Sequence, residues 1–462
     1  MHHARLEKRC SVRIKEYDLI VLGTGDAGQA VALAAAKEKW KVAIVEKKAV
    51  GGTCALWGCV PKKVLISGEE LVNFSQRMAE AGLASKATTD WSELMAFKHR
   101  LTRSFSKDSR SNLQRHGVDI YEDTASFVGE AAIRVGEVLL HGGYIHIATG
   151  ACPRPLNIPG EEFMTTSSEF LYLAELPQRL VFIGGGYISF EFAHLAARYG
   201  RNVTIIHRSE EVLKKFDPDL VALLVRASEK LGITVAINQP LMRIEKKGDE
   251  LLVIVQAGGV EKVYYADMVV HGAGRVPDIA DLNLEAAGID ASQNGVIVNE
   301  YLQSISNPRV YAAGDAAAGG LPLTPVAMAE GKVAADNLIH ASKRRRCDYR
   351  VVPSVVFTLP KIASVGLQET EADKQGLQYD VSFRETADWL HNLRINEPFA
   401  GFKIILDRST GRILGAHLLD SHADDLINLF ALAMQHNLTA ADIKQVLYAY
   451  PTASSSVQYM VD

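Results

Sequence analysis

The segment Gly51-Gly52-Thr53-Cys54-Ala55-Leu56-Trp57-Gly58-Cys59-Val60-Pro61-Lys62-Lys63 sets two thiols five residues apart. In a regular helix five residues rise about 7.5 Å, beyond the roughly 4.4–6.8 Å of Cα separation that a disulfide spans. A distortion is therefore expected between Cys54 and Cys59. Gly58 permits unusual backbone angles there, and Pro61 suits the first turn of a helix but not its interior. A strained bridge at a helix entrance is easily reduced, and the helix N-terminus stabilises a thiolate on Cys59. The other readings of such a pair are two buried thiols or half of a zinc site. Zinc asks for closer pairs and a second pair, and the remaining cysteines, Cys10, Cys152 and Cys347, are scattered. The spacing points to reversible thiol–disulfide exchange.

Such a pair needs an electron source, and the preceding residues supply a place for one. Tyr17-Asp18-Leu19-Ile20-Val21-Leu22 reads as a buried strand running into Gly23-Thr24-Gly25-Asp26-Ala27-Gly28 and a small, helix-prone run from Gln29 to Lys37. In this strand–turn–helix pattern Gly23 makes the tight turn, Gly25 lets a pyrophosphate approach the backbone, and Gly28 lets helix and strand pack closely. The next strand, Lys41-Val42-Ala43-Ile44-Val45, ends at Glu46, which is placed to accept hydrogen bonds from a ribose.

The pattern returns at Arg179–Glu191, with Gly184, Gly186 and Ser189 in the three small-residue positions, so two dinucleotides are expected. Here the following strand, Val203–Ile206, ends in His207-Arg208 instead of an acid, with Lys214 nearby. A carboxylate at that place suits the 2′-hydroxyl of NAD, whereas basic groups suit the 2′-phosphate of NADP. The expectation is NADPH, with NADH as the alternative. In the other reading Arg208 and Lys214 are ordinary surface charges.

With these motifs the chain resembles the pyridine nucleotide-disulfide oxidoreductases, the family of glutathione reductase, dihydrolipoamide dehydrogenase and mercuric reductase. Later landmarks agree in order: Ala148-Thr149-Gly150, Gly272-Ala273-Gly274-Arg275-Val276-Pro277, Val310-Tyr311-Ala312-Ala313-Gly314-Asp315, and Val356-Phe357-Thr358 before Ile362-Ala363-Ser364-Val365-Gly366. The resemblance implies an α/β fold of two Rossmann-like dinucleotide-binding domains and a C-terminal α+β dimerisation domain. The implied divisions are residues 1–152 for FAD, 153–275 for NAD(P), 276–343 returning to the flavin region, and 344–462 for the interface. It also implies that FAD occupies the first fingerprint, with Gly52, Thr53, Gly150, Gly314 and Asp315 contributing, and that Gly274 lies with the second. Cys54 then corresponds to the interchange thiol and Cys59 to the charge-transfer thiol. Lys63 corresponds to the lysine near the flavin, Glu191 to its partner, and Tyr187 to an aromatic gate over the nicotinamide.

The chain also departs from the family pattern. Disulfide reductases of this family end in a His-Pro-Thr segment with a glutamate five residues after the histidine, whereas here Tyr450 and Ser455 stand at those places. A phenol near pKa 10 cannot exchange protons at neutrality as an imidazole can, and such help is typically worth about 10²–10⁴-fold. Mercuric reductases resemble this chain in carrying tyrosine there, but this chain lacks their C-terminal cysteine pair, ending Gln458-Tyr459-Met460-Val461-Asp462. Leu56, Trp57 and Lys62 depart from the usual residues of the disulfide motif. The expected activity is electron transfer from NADPH through FAD to Cys54–Cys59 and on to a disulfide of a small molecule or small protein. A metal-ion or quinone acceptor, or a low-turnover redox sensor, are the alternatives.

At 462 residues and 48% apolar composition, the chain is long enough for about three soluble domains. Its net charge of −4 argues against nucleic acid or an acidic membrane surface as partner. No apolar run reaches the roughly 18 residues of a membrane span. Met1–Cys10 is basic without the apolar core of a secretory signal, and cysteines are few, so a cytoplasmic setting is expected. Lys343-Arg344-Arg345-Arg346 reads as a solvated charge run. Strands at Gly401–Leu406 and Arg412–Leu419 precede an apolar stripe of Leu426, Ile427, Leu429, Phe430, Leu432 and Ala433 at helical spacing, fit for core or interface. The resemblance makes this region a homodimer interface, with Tyr450 acting on the partner subunit. His422, near Asp424, reads as a solvent-facing loop histidine.

Overall fold

A computed structural model describes residues 13–462 except 84 and 341, and excludes the side chain at 80. The basic segment Met1–Cys10 lies outside the described residues. The chain divides into two compact units.

The first unit comprises Met1–Leu56, Thr102–Cys152 and Arg275–Cys347. Its sheet runs Asp119–Glu122, Val42–Glu46, Arg13–Leu22, Val138–Ile147, with Val310–Ala312 also on the last of these. All of these pairings are parallel. Leu19 and Val21 enter one apolar core and Ile20 and Leu22 the other, which is why the run is continuously hydrophobic. The helix Asp26–Lys37 buries Ala27, Gly28, Val31, Ala32 and Ala35. These small residues let Thr324–Ile339 come so close that a Cβ on Gly331 would lie 2.8 Å from the Ala27 Cα.

The second unit comprises Trp57–Leu101, Pro153–Gly274 and Asp348–Asp462. A parallel sheet runs Thr234–Ala236, Asn202–Ile206, Arg179–Ile183, Met268–His271, Met164–Thr165, repeating the strand order of the first unit around its own glycine turn. An antiparallel sheet runs Ser354–Val356, Lys361–Gly366, Ile413–Asp420, Gly401–Asp407, Tyr379–Glu385. On the helix Ala423–Gln435 the expected stripe splits. Leu426, Ile427, Phe430 and Ala433 are core, while Leu429 and Leu432 are 38% and 58% exposed. Arg345 and Arg346 are exposed and paired with Asp336 and Glu300, as suits a solvated charge run. His422 is half-buried just before the helix, its amide donating to Asp420 Oδ1 at 2.8 Å.

One core residue of the first unit breaks the apolar pattern. His146 lies in register with Val21 and Tyr311, is fully buried, and has no hydrogen-bond partner for either ring nitrogen among the described residues. Burial pushes its pKa down to about 3. An imidazole with a lowered folded-state pKa contributes its full stability above its unfolded value near 6.5, and loses it as pH falls towards 3. His146→Leu should therefore lose less stability than the native protein on going from pH 7 to pH 5, by about 2 kcal/mol. Thermal unfolding of both proteins at the two pH values measures this, and parallel losses would contradict it.

Candidate active site

In the first unit Gly23 has φ of 101°, and a Cβ there would stand 2.2 Å from the Ala148 carbonyl oxygen. A Cβ on Gly28 would meet the Gly23 oxygen at 2.1 Å, whereas one on Gly25 would point into open space. The helix that follows Gly25 has no side-chain cap, leaving its first amides for a ligand. Glu46 braces this turn: its Oε2 accepts from the Thr24 amide at 3.0 Å and the Thr24 hydroxyl at 2.6 Å. Thr24 Oγ1 in turn accepts from the Gly51 amide at 3.0 Å. A Cβ on Gly52 would lie 2.4 Å from the Gly25 Cα, so the start of the cysteine motif is packed directly on the glycine turn. Gly150, with φ of 71°, accepts through its carbonyl from the Asp278 amide at 2.9 Å. Gly314, with φ of 66°, donates its amide to Glu330 Oε2 at 2.6 Å. Burial raises the pKa of the neighbouring Asp315, against the opposing charge of Arg275. The residues of this cradle fit a dinucleotide: an open path at Gly25, free amides behind it and a braced carboxylate beyond.

Cys54 is half-buried in the short helix Gly52–Leu56, beside exposed Thr53, and Cys59 is exposed at the first position of the helix Cys59–Met78. The expected distortion falls at Trp57-Gly58, Gly58 having φ −148° and ψ −111°.

The expected pairing of Lys63 with Glu191 requires correction. Lys62 Nζ lies 2.8 Å from Glu191 Oε1, with side chains 15% and 1% exposed. The same carboxylate oxygen accepts from the Phe357 amide at 2.9 Å, and the Lys62 ammonium sits 4.8 Å from the Phe357 ring centroid. Lys63 instead pairs with Glu70 at 3.0 Å and approaches Asp424 at 3.7 Å, sharing both acids with Lys361. The cause is helical rotation of about 100° per residue. Lys62, Leu65, Ile66 and Glu69 recur on one face, and Glu69 pairs with Arg198 of the helix Tyr187–Arg198 at 2.7 Å. Lys63 and Glu70 share another face.

In the second glycine turn Gly184 has φ of 108°, with a Cβ excluded by the Gly272 carbonyl at 2.3 Å. Gly186 precedes the helix Tyr187–Arg198, which likewise has no side-chain cap. Ser189 is fully buried, its oxygen 2.0 Å from where a Cβ on Gly272 would lie, so a small residue is needed on both sides. Tyr187 is 48% exposed and is not a core residue. Gly274, with φ of 106°, accepts from the Arg154 amide at 3.1 Å. Arg208 and Lys214 are exposed, and Lys214 lies 3.8 Å from Glu211. His207 is engaged with the glycine turn itself. Its Nδ1 accepts from the Gly185 amide at 3.0 Å, and burial lowers its pKa with help from Arg208 and Lys214, so the ring is neutral at pH 7.

Tyr450 is 77% exposed. Ser455 is buried and donates to the Thr452 carbonyl at 2.7 Å, so it cannot do the work of the missing glutamate. A buried histidine–carboxylate pair does occur close by in the chain's fold: His391 Nε2 lies 3.0 Å from Asp420 Oδ2, and His391 Nδ1 lies 2.9 Å from Ser456 Oγ. Sequence reasoning noted Lys62 and Phe357 without their contacts to Glu191, and it missed the His391–Asp420 pair. Only Lys62 carried a signal, its departure from the usual motif.

The chain as a whole is similar to known proteins. Residues 17–331 match the model of the pyridine nucleotide-disulphide oxidoreductases, and residues 352–461 match that family's dimerisation domain. The chain is 34% identical over 450 residues to a mercuric reductase of Staphylococcus aureus, covering 96% of this chain and 81% of the relative. It is 32% identical to a glutathione reductase of a Nostoc species, covering 95% of this chain and 98% of the relative. Among solved structures, the Cu(II) complex of the HOCl-induced flavoprotein disulfide reductase RclA from Escherichia coli superimposes with a TM-score of 0.85 at 28% identity, covering 97% and 99% of the two chains. The chain therefore belongs to the pyridine nucleotide-disulfide oxidoreductase family. It is a flavin-dependent enzyme that uses NAD(P)H. No helix among the described residues is long and apolar enough to cross a membrane.

The two lysines should respond differently to truncation. Lys62→Ala strands the buried Glu191 carboxylate and should cost about 3–5 kcal/mol. Lys63→Ala should cost under about 1 kcal/mol, because the pair is partly exposed and Lys361 still serves Glu70 and Asp424. Comparative unfolding of the two variants checks this, and equal losses would contradict the assignment.

Proposed function

We propose that this enzyme carries electrons from NADPH through FAD to Cys54 and Cys59 and on to the disulfide of a small molecule or small protein. The observation that carries the reading is the first turn of the helix Cys59–Met78, where the thiol of Cys59 and the buried Lys62–Glu191 pair stand three residues apart on one helix. In this reading the first cradle holds FAD, with Gly23, Gly25, Gly28, Glu46, Gly52, Thr53, Gly150, Gly314 and Asp315 around it. The second turn holds the nicotinamide nucleotide, with Tyr187 as the gate and Arg208 meeting the 2′-phosphate. When bound, FAD supplies the chemistry that turns a two-electron hydride donor into a reductant for sulfur.

The chain's own residues do the rest. The Lys62 ammonium, held by Glu191 and Phe357, supplies a fixed positive charge beside the thiol helix. Cys54 attacks one sulfur of the acceptor disulfide, forming a mixed disulfide and releasing the first thiolate. Cys59 then attacks Cys54, releasing the second and restoring the Cys54–Cys59 bond. NADPH and one proton are consumed, and NADP⁺ and two thiols result. In this reading the exposed phenol of Tyr450 reaches the thiols of a partner subunit in place of an imidazole. The family's dimerisation domain and the exposed Leu429, Leu432 and Leu447 support a second copy of the chain as that partner.

Tyr450 and the engaged Ser455 also favour a second reading, in which the acceptor is a metal ion bound by the two thiolates. Reduction of a soft metal cation needs no proton, so the absent acid–base pair costs nothing there. Mercuric reductase is the name of the S. aureus relative, and the RclA structure is named as a Cu(II) complex. The setting proposed for either reaction is the cytoplasm, where a dithiol is kept reduced.

Anaerobic addition of NADPH should produce long-wavelength thiolate-to-flavin absorption that disappears in Cys59→Ser. Direct bleaching without that absorption would contradict the dithiol relay. An acceptor screen with disulfides and Hg²⁺ then separates the two readings.

A further inference from the structure

The two glycine turns are built alike, and the comparison isolates one residue. In the first turn the amide after the first glycine, Thr24 N–H, is held by Glu46 at the end of the second strand. In the second turn the corresponding amide, Gly185 N–H, is held by His207 at the corresponding strand end, at 3.0 Å from Nδ1. The fit is close: a Cβ on Gly185 would lie 2.9 Å from the His207 Cγ and 2.6 Å from the Val212 Cγ1. The glycine is needed so that the imidazole can lie against the turn. With Nδ1 accepting, Nε2 carries the hydrogen and faces the Glu211 carbonyl at 3.0 Å and the Ser209 hydroxyl at 2.9 Å. No neutral rearrangement keeps all of these contacts, so the tautomer is fixed by its neighbours.

We propose that His207 is a proton-sensitive latch on the nicotinamide-nucleotide turn, its bare Nδ1 holding the Gly185 amide as Glu46 holds Thr24, so that proton uptake releases the turn and weakens nucleotide binding. This rests on the reading that the second fingerprint binds the nicotinamide nucleotide. Protonated imidazole has no acceptor, so the Gly185 amide and the new N–H would confront each other. The groups that bear on the ring set the direction. Burial is the main opposition to its protonation, the Glu211 backbone carbonyl works the other way, and the Lys214 and Arg208 charges add to the opposition. The latch is closed at neutral pH and opens below the ordinary imidazole range near 6.5. Being uncharged when closed, His207 also spares a 2′-phosphate the repulsion that a carboxylate at this place would impose. Recognition of that phosphate then falls to the exposed Arg208. His207 is thus a positioning residue.

The test uses the flavin-loaded protein and calorimetric binding of NAD⁺ and NADP⁺, which avoids turnover. His207→Asn places an amide oxygen where Nδ1 stands and cannot take up a proton. Between pH 7.5 and 5.5 the Kd for NAD⁺, which has no 2′-phosphate to titrate, should rise roughly three- to tenfold in the native protein and stay nearly flat in the variant. His207→Gln serves as the second acceptor variant should asparagine unfold the turn. Parallel pH profiles in native and variant proteins would overturn the latch. His207→Glu should weaken NADP⁺ by roughly tenfold or more and spare NAD⁺. An equal effect of Arg208→Ala on both nucleotides would sink the NADPH preference, whereas the latch is decided by the NAD⁺ profiles alone.

Discussion

Close contact of backbone with backbone is the constraint from which the first unit follows. Gly23 turns at positive φ against the Ala148 carbonyl, Gly28 packs on Gly23, and Gly52 packs on Gly25. At each of these places a single methyl group would overlap a main-chain atom. That exclusion brings the helix Asp26–Lys37 down on its strand, and the helix begins with no side-chain cap. It also seats the beginning of the cysteine motif on the same turn, through Gly52 and the Gly51–Thr24 hydrogen bond. The glycine turn and the residues that open the cysteine motif are therefore one piece of covalent and steric geometry within this unit.

The second unit uses the same device and adds buried charge. Gly184 and Ser189 allow the turn to close on Gly272, and the helix that follows carries Glu191 inward to meet Lys62. Burying such a pair costs desolvation that the Phe357 amide and ring help to offset. The network of Lys63, Glu70, Lys361 and Asp424 on the neighbouring face is the structural counterpart, tying that helix to the antiparallel sheet and the helix Ala423–Gln435.

What was legible in the sequence follows from the range of the interactions involved. Glycine turns, strand ends and the break at Trp57-Gly58 are local, and their positions were read directly. Lys62 against Lys63 was misassigned because two adjacent lysines differ only by a rotation, and the face that meets Glu191 is fixed by packing across 129 residues of sequence. His207 was legible as the residue at the strand end, but its hold on the Gly185 amide was not, since that depends on how the ring packs against the turn. The His391–Asp420 pair joins residues 29 apart in the chain, with no spacing rule to expose it. The stripe on Ala423–Gln435 was visible as apolar, but only packing divided its core residues from Leu429 and Leu432.

The central claim is that Cys54 and Cys59 are the point at which electrons leave the enzyme for a sulfur or metal acceptor. Alkylation with iodoacetamide, followed by mass-spectrometric mapping, tests this directly on protein treated with and without NADPH in the absence of oxygen. The account predicts that labelling of Cys54 and Cys59 rises sharply after NADPH, with Cys54 modified first, while Cys152 and Cys347 are unchanged. Equal labelling of both cysteines before and after NADPH would contradict it.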